Sequence, residues 1–176
     1  MTMNKELTPE SNTLIPYIAE LRALFNGRVV GPNDAGYDKA RAVFYGGIDR
    51  RPAAVIYAAD VADVARAIAL VRDSGLELAV RGGGHSLAGH SATEGGILLD
   101  MTGFKEIDID VEGRTAWAGA GLTAAEYTNA AGAYGLATGF GDTGDVGIGG
   151  LTLGGGIGLL VRKYGLTIDD LLAAEI

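Results

Sequence analysis

The residues with the greatest chemical potential lie in one short stretch, Arg81-Gly82-Gly83-Gly84-His85-Ser86. Three consecutive glycines carry no Cβ atoms, so their N–H groups can approach a pyrophosphate directly. Arg81 is expected to add a fixed positive charge, while Ser86 and Ser91 are expected to add hydroxyl donors. The stretch therefore predicts a phosphate-binding loop. It is not a P-loop, because the chain contains no Gly-x-x-x-x-Gly-Lys.

His85 is the most reactive candidate in this loop. Imidazole can act as a base, a metal ligand, a nucleophile or a covalent anchor. From the residues alone, a histidine that closes the loop by hydrogen bonding is an equally good interpretation of His85. The other histidine, His90, is interpreted as a structural or surface residue. No metal site is predicted, because two histidines five positions apart lack a third ligand and the chain has no cysteine.

A second glycine cluster lies further along the chain and holds ten of the 29 glycines. Its valines, leucines and isoleucines exclude a flexible linker, and no period of three indicates collagen. Because glycine costs folding entropy, the cluster predicts close approach of the backbone to a ligand. A literal Gly-x-Gly-x-x-Gly within it is not assigned to a Rossmann site, because no helix is expected at the right offset. The cluster comprises Gly139, Gly141, Gly144, Gly147, Gly149, Gly150, Gly154, Gly155, Gly156 and Gly158.

A strand–helix–strand unit precedes the first glycine loop and is expected to position it. Ala53–Tyr57 is predicted as a strand, and residues 61–74 as a helix that Asp60 caps and Gly75 ends. Leu78–Val80 is predicted as the next strand, and it runs directly into the glycine loop. Ligands bind at this end of the strands in open α/β arrangements.

Weaker patterns predict the remaining elements. Helices are expected over residues 12–26 and Tyr37–Phe44, with a loop between them at 31–36. A third helix is expected to begin at a capping box formed by Thr123 and Glu126 and to end near Gly132 or Gly135. Strands of a mixed sheet are expected at Ile97–Leu99, Glu106–Ile109 and Arg114–Trp117, and a final strand at Leu171–Ile176.

Composition narrows the classes of protein. The chain has 176 residues, 48% of them apolar, and a net charge of −8, which disfavours a nucleic-acid partner. Its longest apolar run, Ala53–Ala59, is too short to span a membrane, and Met1–Glu10 lacks the features of a signal peptide. A cytoplasmic location is expected, although a cleaved export signal would leave the same sequence.

The two glycine motifs together resemble a known family. The Arg81–Ser86 stretch, the Gly147–Gly158 stretch and Arg162–Asp170 resemble the p-cresol methylhydroxylase and vanillyl-alcohol oxidase type of FAD-binding domain, most closely its berberine-bridge-enzyme-like branch with the bacterial hydroxynicotine oxidases. The resemblance extends from about Tyr37 to the end of the chain. It implies an α+β fold, with a small ββα-like subdomain and a mixed sheet with flanking helices. Residues 1–35 would form an N-terminal helix and lead-in, and 36–176 an incomplete FAD-binding domain.

The same resemblance implies roles for individual residues. His85 would bond covalently to the methyl carbon at the benzenoid end of the flavin, and the Arg81–Ser91 loop would hold the pyrophosphate. Residues 143–158 would lie along the ribityl chain and the isoalloxazine ring. Thr143 stands where many family members have a cysteine that forms a second link, so a single link is expected, and Val146 stands where valine accompanies oxidase behaviour. The implied cofactor-binding residues are Arg81, Gly82, Gly83, Gly84, His85, Ser86, Gly89, Ser91, Thr143, Gly144, Val146, Gly147, Gly149, Gly150, Gly154, Gly155, Gly156, Gly158, Tyr164 and Asp169.

The implied function is that of an FAD-dependent oxidoreductase. An oxidase is expected, one that takes a hydride from a small organic substrate and passes the electrons to oxygen. Two alternatives remain: a non-catalytic FAD- or nucleotide-binding fragment, and a dehydrogenase with another acceptor. Family members are much longer, with the substrate domain and catalytic base beyond the position of Ile176, so this chain alone is not expected to be competent. Asp169 and Asp170 are expected in a structural loop, and Tyr164 in packing or cofactor contact.

Overall fold

A four-stranded mixed sheet organises the first part of the described chain, up to Asp100, in the computed structural model, which describes residues 17–175. Its strands follow the order β1-β2-β4-β3; β1 is antiparallel to β2, and β2, β4 and β3 are mutually parallel. The elements of this part are α1 (Ile18–Leu24), β1 (Arg28–Val30), α2 (Tyr37–Arg41), β2 (Ala54–Tyr57), α3 (Val61–Ser74), β3 (Leu78–Arg81) and β4 (Ile97–Asp100).

The central strands are apolar on both sides because helices cover both faces of the sheet. Ala54 and Ile56 of β2 pack with α1 and α3, whereas Val55 between them packs with α2 on the opposite face. β4 repeats the alternation, with Leu98 on the α2 side. Fully burying such a side chain contributes about 1.5–3 kcal/mol, so this sheet is the main stabilising unit of the described chain.

The second half of the chain forms smaller elements around a separate hairpin. These are β5 (Ile107–Asp110), β6 (Thr115–Ala118), α4 (Ala124–Gly132), α5 (Ile148–Leu153), α6 (Val161–Tyr164) and a 3₁₀ turn (Thr167–Asp170). The prediction that placed the strands near 106–109 and 114–117 in the mixed sheet is wrong, because β5 and β6 pair only with each other within residues 17–175. Half-buried Ile107 and Ile109 alternate with exposed Asp108 and Asp110, a pattern that suits a hairpin with one covered face.

Helix α3 confirms the predicted start and end signals. The Asp60 carboxylate accepts a hydrogen bond from Asp63 N at 2.8 Å, and Gly75 ends the helix in the left-handed conformation with φ 69°. Asp63 is fully buried, and its carboxylate accepts the backbone N–H groups of Asn26 at 2.9 Å and Gly27 at 2.8 Å. Burial raises the pKa of Asp63, but these bonds and others lower it further, so the pKa lies below the ordinary value. Asp63 thereby joins the end of α1 to the start of α3.

The remaining predictions differ in detail from the observed elements. α1 is observed from Ile18, and residues 12–16 of the predicted helix lie outside the described residues. α2 ends at Arg41 instead of reaching Phe44, because Ala42 is extended with ψ 141°. The capping box of Thr123 and the helix end at Gly132 are confirmed. Residues 171–175 form no strand, since no strand in the described part of the chain pairs with them.

Candidate cofactor site

The first glycine loop leaves the sheet at the carboxyl end of β3, where β2 and β4 also end. Gly84 and Gly89 have φ values of 71° and 77°, in the left-handed region that favours glycine. Within residues 17–175, the backbone N–H groups of Gly83, Gly84, His85 and Ser86 donate to no acceptor. Consecutive unpaired N–H groups around a left-handed residue form a concavity that binds anions. The loop therefore has the backbone conformation and the free N–H groups that the predicted phosphate site requires.

Arg81 does not offer its fixed positive charge to the phosphate site, contrary to the prediction from the sequence, because the charge is used within the protein. Its side chain is buried, and Nε donates to Asp100 Oδ2 at 2.6 Å. Its other two nitrogens donate to the carbonyl oxygens of Ala42 at 3.1 Å and Ala40 at 2.6 Å. The charge of Arg81 is therefore balanced inside the protein. Arg81 holds the end of α2 against the ends of β3 and β4 and thereby supports the glycine loop.

His85 fits both interpretations of the sequence, the loop-closing residue and the reactive residue. One ring nitrogen closes the loop by a hydrogen bond, and the other has no partner in the described residues. Nδ1 lies 2.7 Å from Gly83 O, and since a carbonyl oxygen can only accept, Nδ1 carries the proton. Nε2 of the neutral ring then carries the lone pair. This nitrogen is buried and has no hydrogen-bond partner in the described part of the chain. The Phe44 ring stacks on the imidazole, with centroids 4.3 Å apart and planes at 21°.

The two serines of the loop differ in their surroundings. Ser86 Oγ accepts a hydrogen bond from His90 N at 3.1 Å, so it shapes the loop. Ser91 Oγ is buried and, among the described residues, has no partner. A buried polar atom without a partner costs about 1–3 kcal/mol. Ser91 Oγ and His85 Nε2 are thus the two side-chain atoms of the loop that a bound polar group is best placed to satisfy.

The structure brings the two glycine clusters into direct backbone contact. A Cβ atom on Gly83 would overlap Gly147 N and lie 3.0 Å from Gly147 Cα. Gly147 is itself fixed by a β-bridge to Thr123, at the start of α4. Gly149 lies beside the same junction, since a Cβ there would come within 3.1 Å of Ala120 O. Gly83 and Gly147 therefore allow two distant segments to form one surface.

Other glycines of the second cluster also face protein, which corrects the expectation that the whole cluster approaches a ligand. A Cβ on Gly156, whose φ is 73°, would overlap the Thr167 hydroxyl, and one on Gly158 would lie 2.8 Å from Gly139 O. Thr167 Oγ1 lies 2.7 Å from Gly139 O, so these positions pack together. They shape the segment from inside. The cluster members with open or ordinary surroundings are Gly139, Gly141, Gly150, Gly154 and Gly155, the last with φ 97°.

Comparison with known proteins identifies this architecture. Residues 52–176 match the model of the FAD binding domain family. The chain belongs to this family. Its fold is that of the FAD-binding domain of p-cresol methylhydroxylase type, and its relatives are FAD-linked oxidoreductases that include oxidases. The predicted family and the predicted α+β fold class are therefore confirmed.

Two relatives from different kingdoms illustrate the similarity in sequence. The chain is 37% identical over 150 residues to (R)-6-hydroxynicotine oxidase of Paenarthrobacter nicotinovorans, a match covering 85% of this chain and 33% of the relative. It is 37% identical over 138 residues to berberine bridge enzyme-like 9 of Arabidopsis thaliana, covering 76% of this chain and 26% of the relative. The chain thus spans between a quarter and a third of the length of these curated relatives.

Solved structures give the same result. The crystal structure of 6-hydroxy-D-nicotine oxidase from Arthrobacter nicotinovorans superposes with a TM-score of 0.80 at 36% identity, covering 82% of this chain and 32% of that one. Berberine bridge enzyme-like 1 from Physcomitrella patens superposes with a TM-score of 0.81 at 31% identity, covering 86% of this chain and 34% of that one.

In the described residues of the FAD-binding domain, no helix is both long and apolar enough to cross a membrane.

The residues of this FAD-binding domain fit its cofactor. The unpaired N–H groups at Gly83–Ser86 suit a pyrophosphate, whose oxygens only accept hydrogen bonds. Ser91 Oγ is a further buried donor without a partner in the described residues, and His85 Nε2 has its lone pair available. The acceptors and donors that the loop leaves open are therefore those that a dinucleotide can use.

The other predicted residues of the FAD-binding domain lie around the second cluster. Thr143 is exposed and donates to Asp142 at 3.1 Å, and the half-buried Val146 accepts a bond from Ala124 N at 2.9 Å through its carbonyl oxygen. Tyr164 is exposed, with Lys163 Nζ 4.7 Å from its ring centre. The Asp169 carboxylate accepts Leu166 N at 2.8 Å, which confirms its expected place in a structural turn.

Sequence reasoning missed two residues that support the loop. Asp100 had a partial signal, because an acidic residue directly follows the apolar strand residues Ile97–Leu99, but the sequence does not show that this strand lies beside the one ending at Arg81. Phe44 had none, since its contact with His85 joins distant parts of the chain. The motif that begins at Gly139 remains unassigned to a Rossmann site: α5 begins only at Ile148, after the motif has ended, and the element directly before it is the helix α4.

Proposed function

We propose that the chain is the FAD-binding part of a flavoprotein oxidase and that His85 is the residue bonded to the flavin. The observation that carries this proposal is the state of the imidazole. Nδ1 is held by Gly83 O, so Nε2 bears the lone pair, and Nε2 is buried without a partner in residues 17–175. A neutral imidazole with its lone pair on a fixed nitrogen is a competent nucleophile.

The site residues divide the work of holding FAD. The N–H groups of Gly83–Ser86 and the Ser91 hydroxyl bind the pyrophosphate, while the surface formed by Gly147, Gly149 and Gly150 faces the ribityl chain and the ring. Thr143 cannot form a thioether, so a single covalent link is expected. When bound, the flavin supplies the redox chemistry: it accepts a hydride from a small organic substrate and passes two electrons to oxygen.

The family relationship supports the oxidase assignment, since a relative named as an oxidase matches 85% of the chain. We place the substrate-facing wall and the catalytic base of the whole protein in the part that corresponds to the unmatched two thirds of that relative. Substrate oxidation is therefore assigned to a longer protein in which residues 36–176 form the cofactor-binding portion. The same coverage favours one alternative, a fragment that binds FAD without turning over a substrate.

The covalent role is tested by mass spectrometry. The chain is incubated with FAD in air, denatured in acid and digested, and the peptide containing His85 is expected to carry the mass of FAD. His85→Ala should release all flavin on denaturation, whereas His90→Ala, the matched substitution in the same loop, should retain it. Release of flavin from the wild type would refute the link.

The oxidase assignment is tested without a known substrate. Flavin bound to the chain is reduced with light and EDTA in the absence of air, then mixed with oxygenated buffer. Rapid reoxidation with stoichiometric hydrogen peroxide is expected of an oxidase. Reoxidation no faster than that of free reduced flavin would favour the dehydrogenase alternative.

A further inference from the structure

Phe44 is an exposed aromatic residue that stacks on a residue of the candidate site. Its side chain is 61% exposed, yet its ring lies flat against His85 with the centroids 4.3 Å apart. The Tyr45 ring meets Phe44 edge-on at 5.0 Å. An exposed phenylalanine contributes little to a core, so this position is better explained by what it does to the imidazole.

The backbone fixes Phe44 beside the glycine loop. Phe44 N donates to Gly84 O at 3.1 Å, and Arg81 binds the carbonyl oxygens of Ala40 and Ala42 just before it. Because Arg81 is paired with Asp100 in the neighbouring strand, the segment is tied to the ends of β3 and β4. The stacked ring is therefore held by the sheet.

We propose that Phe44 is a positioning residue that keeps the His85 ring in the plane in which Nδ1 donates to Gly83 O and Nε2 carries the lone pair. Stacking restricts rotation of the imidazole about its Cβ–Cγ bond, and the hydrogen bond needs the ring in that plane to be well aligned. Without Phe44 the ring turns away from Gly83, and the proton is then free to move to Nε2, the nitrogen that bears it predominantly in free histidine. That exchange removes the nucleophilic lone pair from Nε2.

The consequence for flavin attachment rests on the proposed function. The Nε2 lone pair forms a bond to the flavin methyl carbon, one methyl proton and the Nδ1 proton are released, and two electrons are left on the ring. Molecular oxygen takes up these electrons with two protons and becomes hydrogen peroxide. Only the tautomer with the proton on Nδ1 can begin this reaction, so Phe44 sets the rate of attachment through the orientation of His85.

The orientation is measured first in the chain without flavin. Two-bond ¹⁵N–¹H correlation spectra of ¹⁵N-histidine-labelled chain, recorded under mildly alkaline conditions, distinguish the two neutral tautomers, and His90→Gln assigns the His85 signals. The wild type is expected to show the Nδ1–H form, Phe44→Leu a shift towards Nε2–H, and Phe44→Tyr the wild-type pattern. Trp117→Leu, which removes another 61% exposed aromatic ring, is the matched control and should change nothing.

The second measurement is the initial rate at which FAD becomes acid-stable. Phe44→Leu is expected to slow attachment by about tenfold to a hundredfold, the range that misplacement of a reacting group produces, and Phe44→Tyr to restore it. A wild-type tautomer signature in Phe44→Leu, or Nε2–H in the wild type, would overturn the proposal. If the tautomer shifts as expected but the wild type never binds flavin covalently, the positioning role stands and the proposed covalent function fails.

Discussion

The two glycine-rich segments of the molecule are alike in composition and opposite in packing. The first, residues 81–91, begins at a buried ion pair between Arg81 and Asp100 and is tied to α2 and β4. The second, residues 147–172, consists of short helices and turns with large apolar side chains in solvent. Leu159 is 87% exposed and Leu172 is 81% exposed.

This difference shows that a high glycine content indicates close approach of one backbone segment to another. It does not indicate how well the segment is packed against the rest of the protein. The parallel strands fix the position of the first segment, because their register places Arg81 beside Asp100. The second is positioned mainly where Gly147 meets Gly83 and where Thr167 meets Gly156. Substitutions should therefore cost most near the sheet and least on the exposed apolar face.

Replacing Arg81 with methionine is expected to give the largest effect. Asp100 would remain buried without its cationic partner, and breaking a buried pair in this way costs about 3–5 kcal/mol. The free energy of unfolding from urea titration measures the loss. Arg162→Met, the same substitution at an exposed position of the second segment, should change stability by no more than about 0.5 kcal/mol. Equal losses in the two variants would remove the contrast between the segments.

Gly83→Ala should give the next largest effect, because it acts at the contact between the two segments. The new Cβ would overlap Gly147 N, and such overpacking costs about 1–3 kcal/mol. Gly82→Ala is the matched control, since its Cβ would lie 3.4 Å from Ala120 O, an ordinary contact. Urea titration of both variants checks this. Stability of Gly83→Ala equal to that of Gly82→Ala would mean that the contact between Gly83 and Gly147 contributes nothing to the fold.

These two sites also show where prediction from sequence ends. Local signals worked: the Asp60 cap, the glycine end of α3 and the capping box at Thr123 depend on residues within a few positions of each other. The pairing of Arg81 with Asp100 depends on strand register, which no local pattern encodes, so the sequence assigns the charge of Arg81 to the phosphate site. The meeting of Gly83 and Gly147 is equally non-local.

Prediction of the candidate site from sequence is limited in the same way, because its geometry depends on non-local contacts. Family resemblance named the loop and His85, but the proton position on the imidazole follows from the path of the backbone at Gly83. The stacking of Phe44 depends on how α2 ends and on the carbonyl groups that Arg81 binds. Sequence thus identified the residue types needed for the chemistry, while the sheet determines their orientation and support.

Asp63 gives a smaller, pH-dependent effect within the sheet region. Its folded pKa lies below the ordinary value of 3.8, since hydrogen bonds outweigh the effect of burial, so the unfolded chain binds more protons in that range. The contribution of Asp63 is full above pH 3.8 and lost as pH falls through the folded pKa. The stability difference between wild type and Asp63→Asn, from urea titrations at several pH values, should therefore shrink on acidification. A constant or growing difference would contradict this role.

The smallest effect is expected on the exposed apolar face of the second segment. Leu159→Ser should alter the free energy of unfolding by no more than about 0.5 kcal/mol, because the side chain buries little surface in this chain. The matched substitution Leu98→Ser removes a fully buried leucine of β4 and should destabilise by more than about 2 kcal/mol. Exposed apolar side chains also favour association, so Leu159→Ser should reduce concentration-dependent self-association in sedimentation velocity. A large loss of stability in Leu159→Ser would show that the second segment is packed as well as the first in solution. That result would contradict the proposed difference in packing between the two segments.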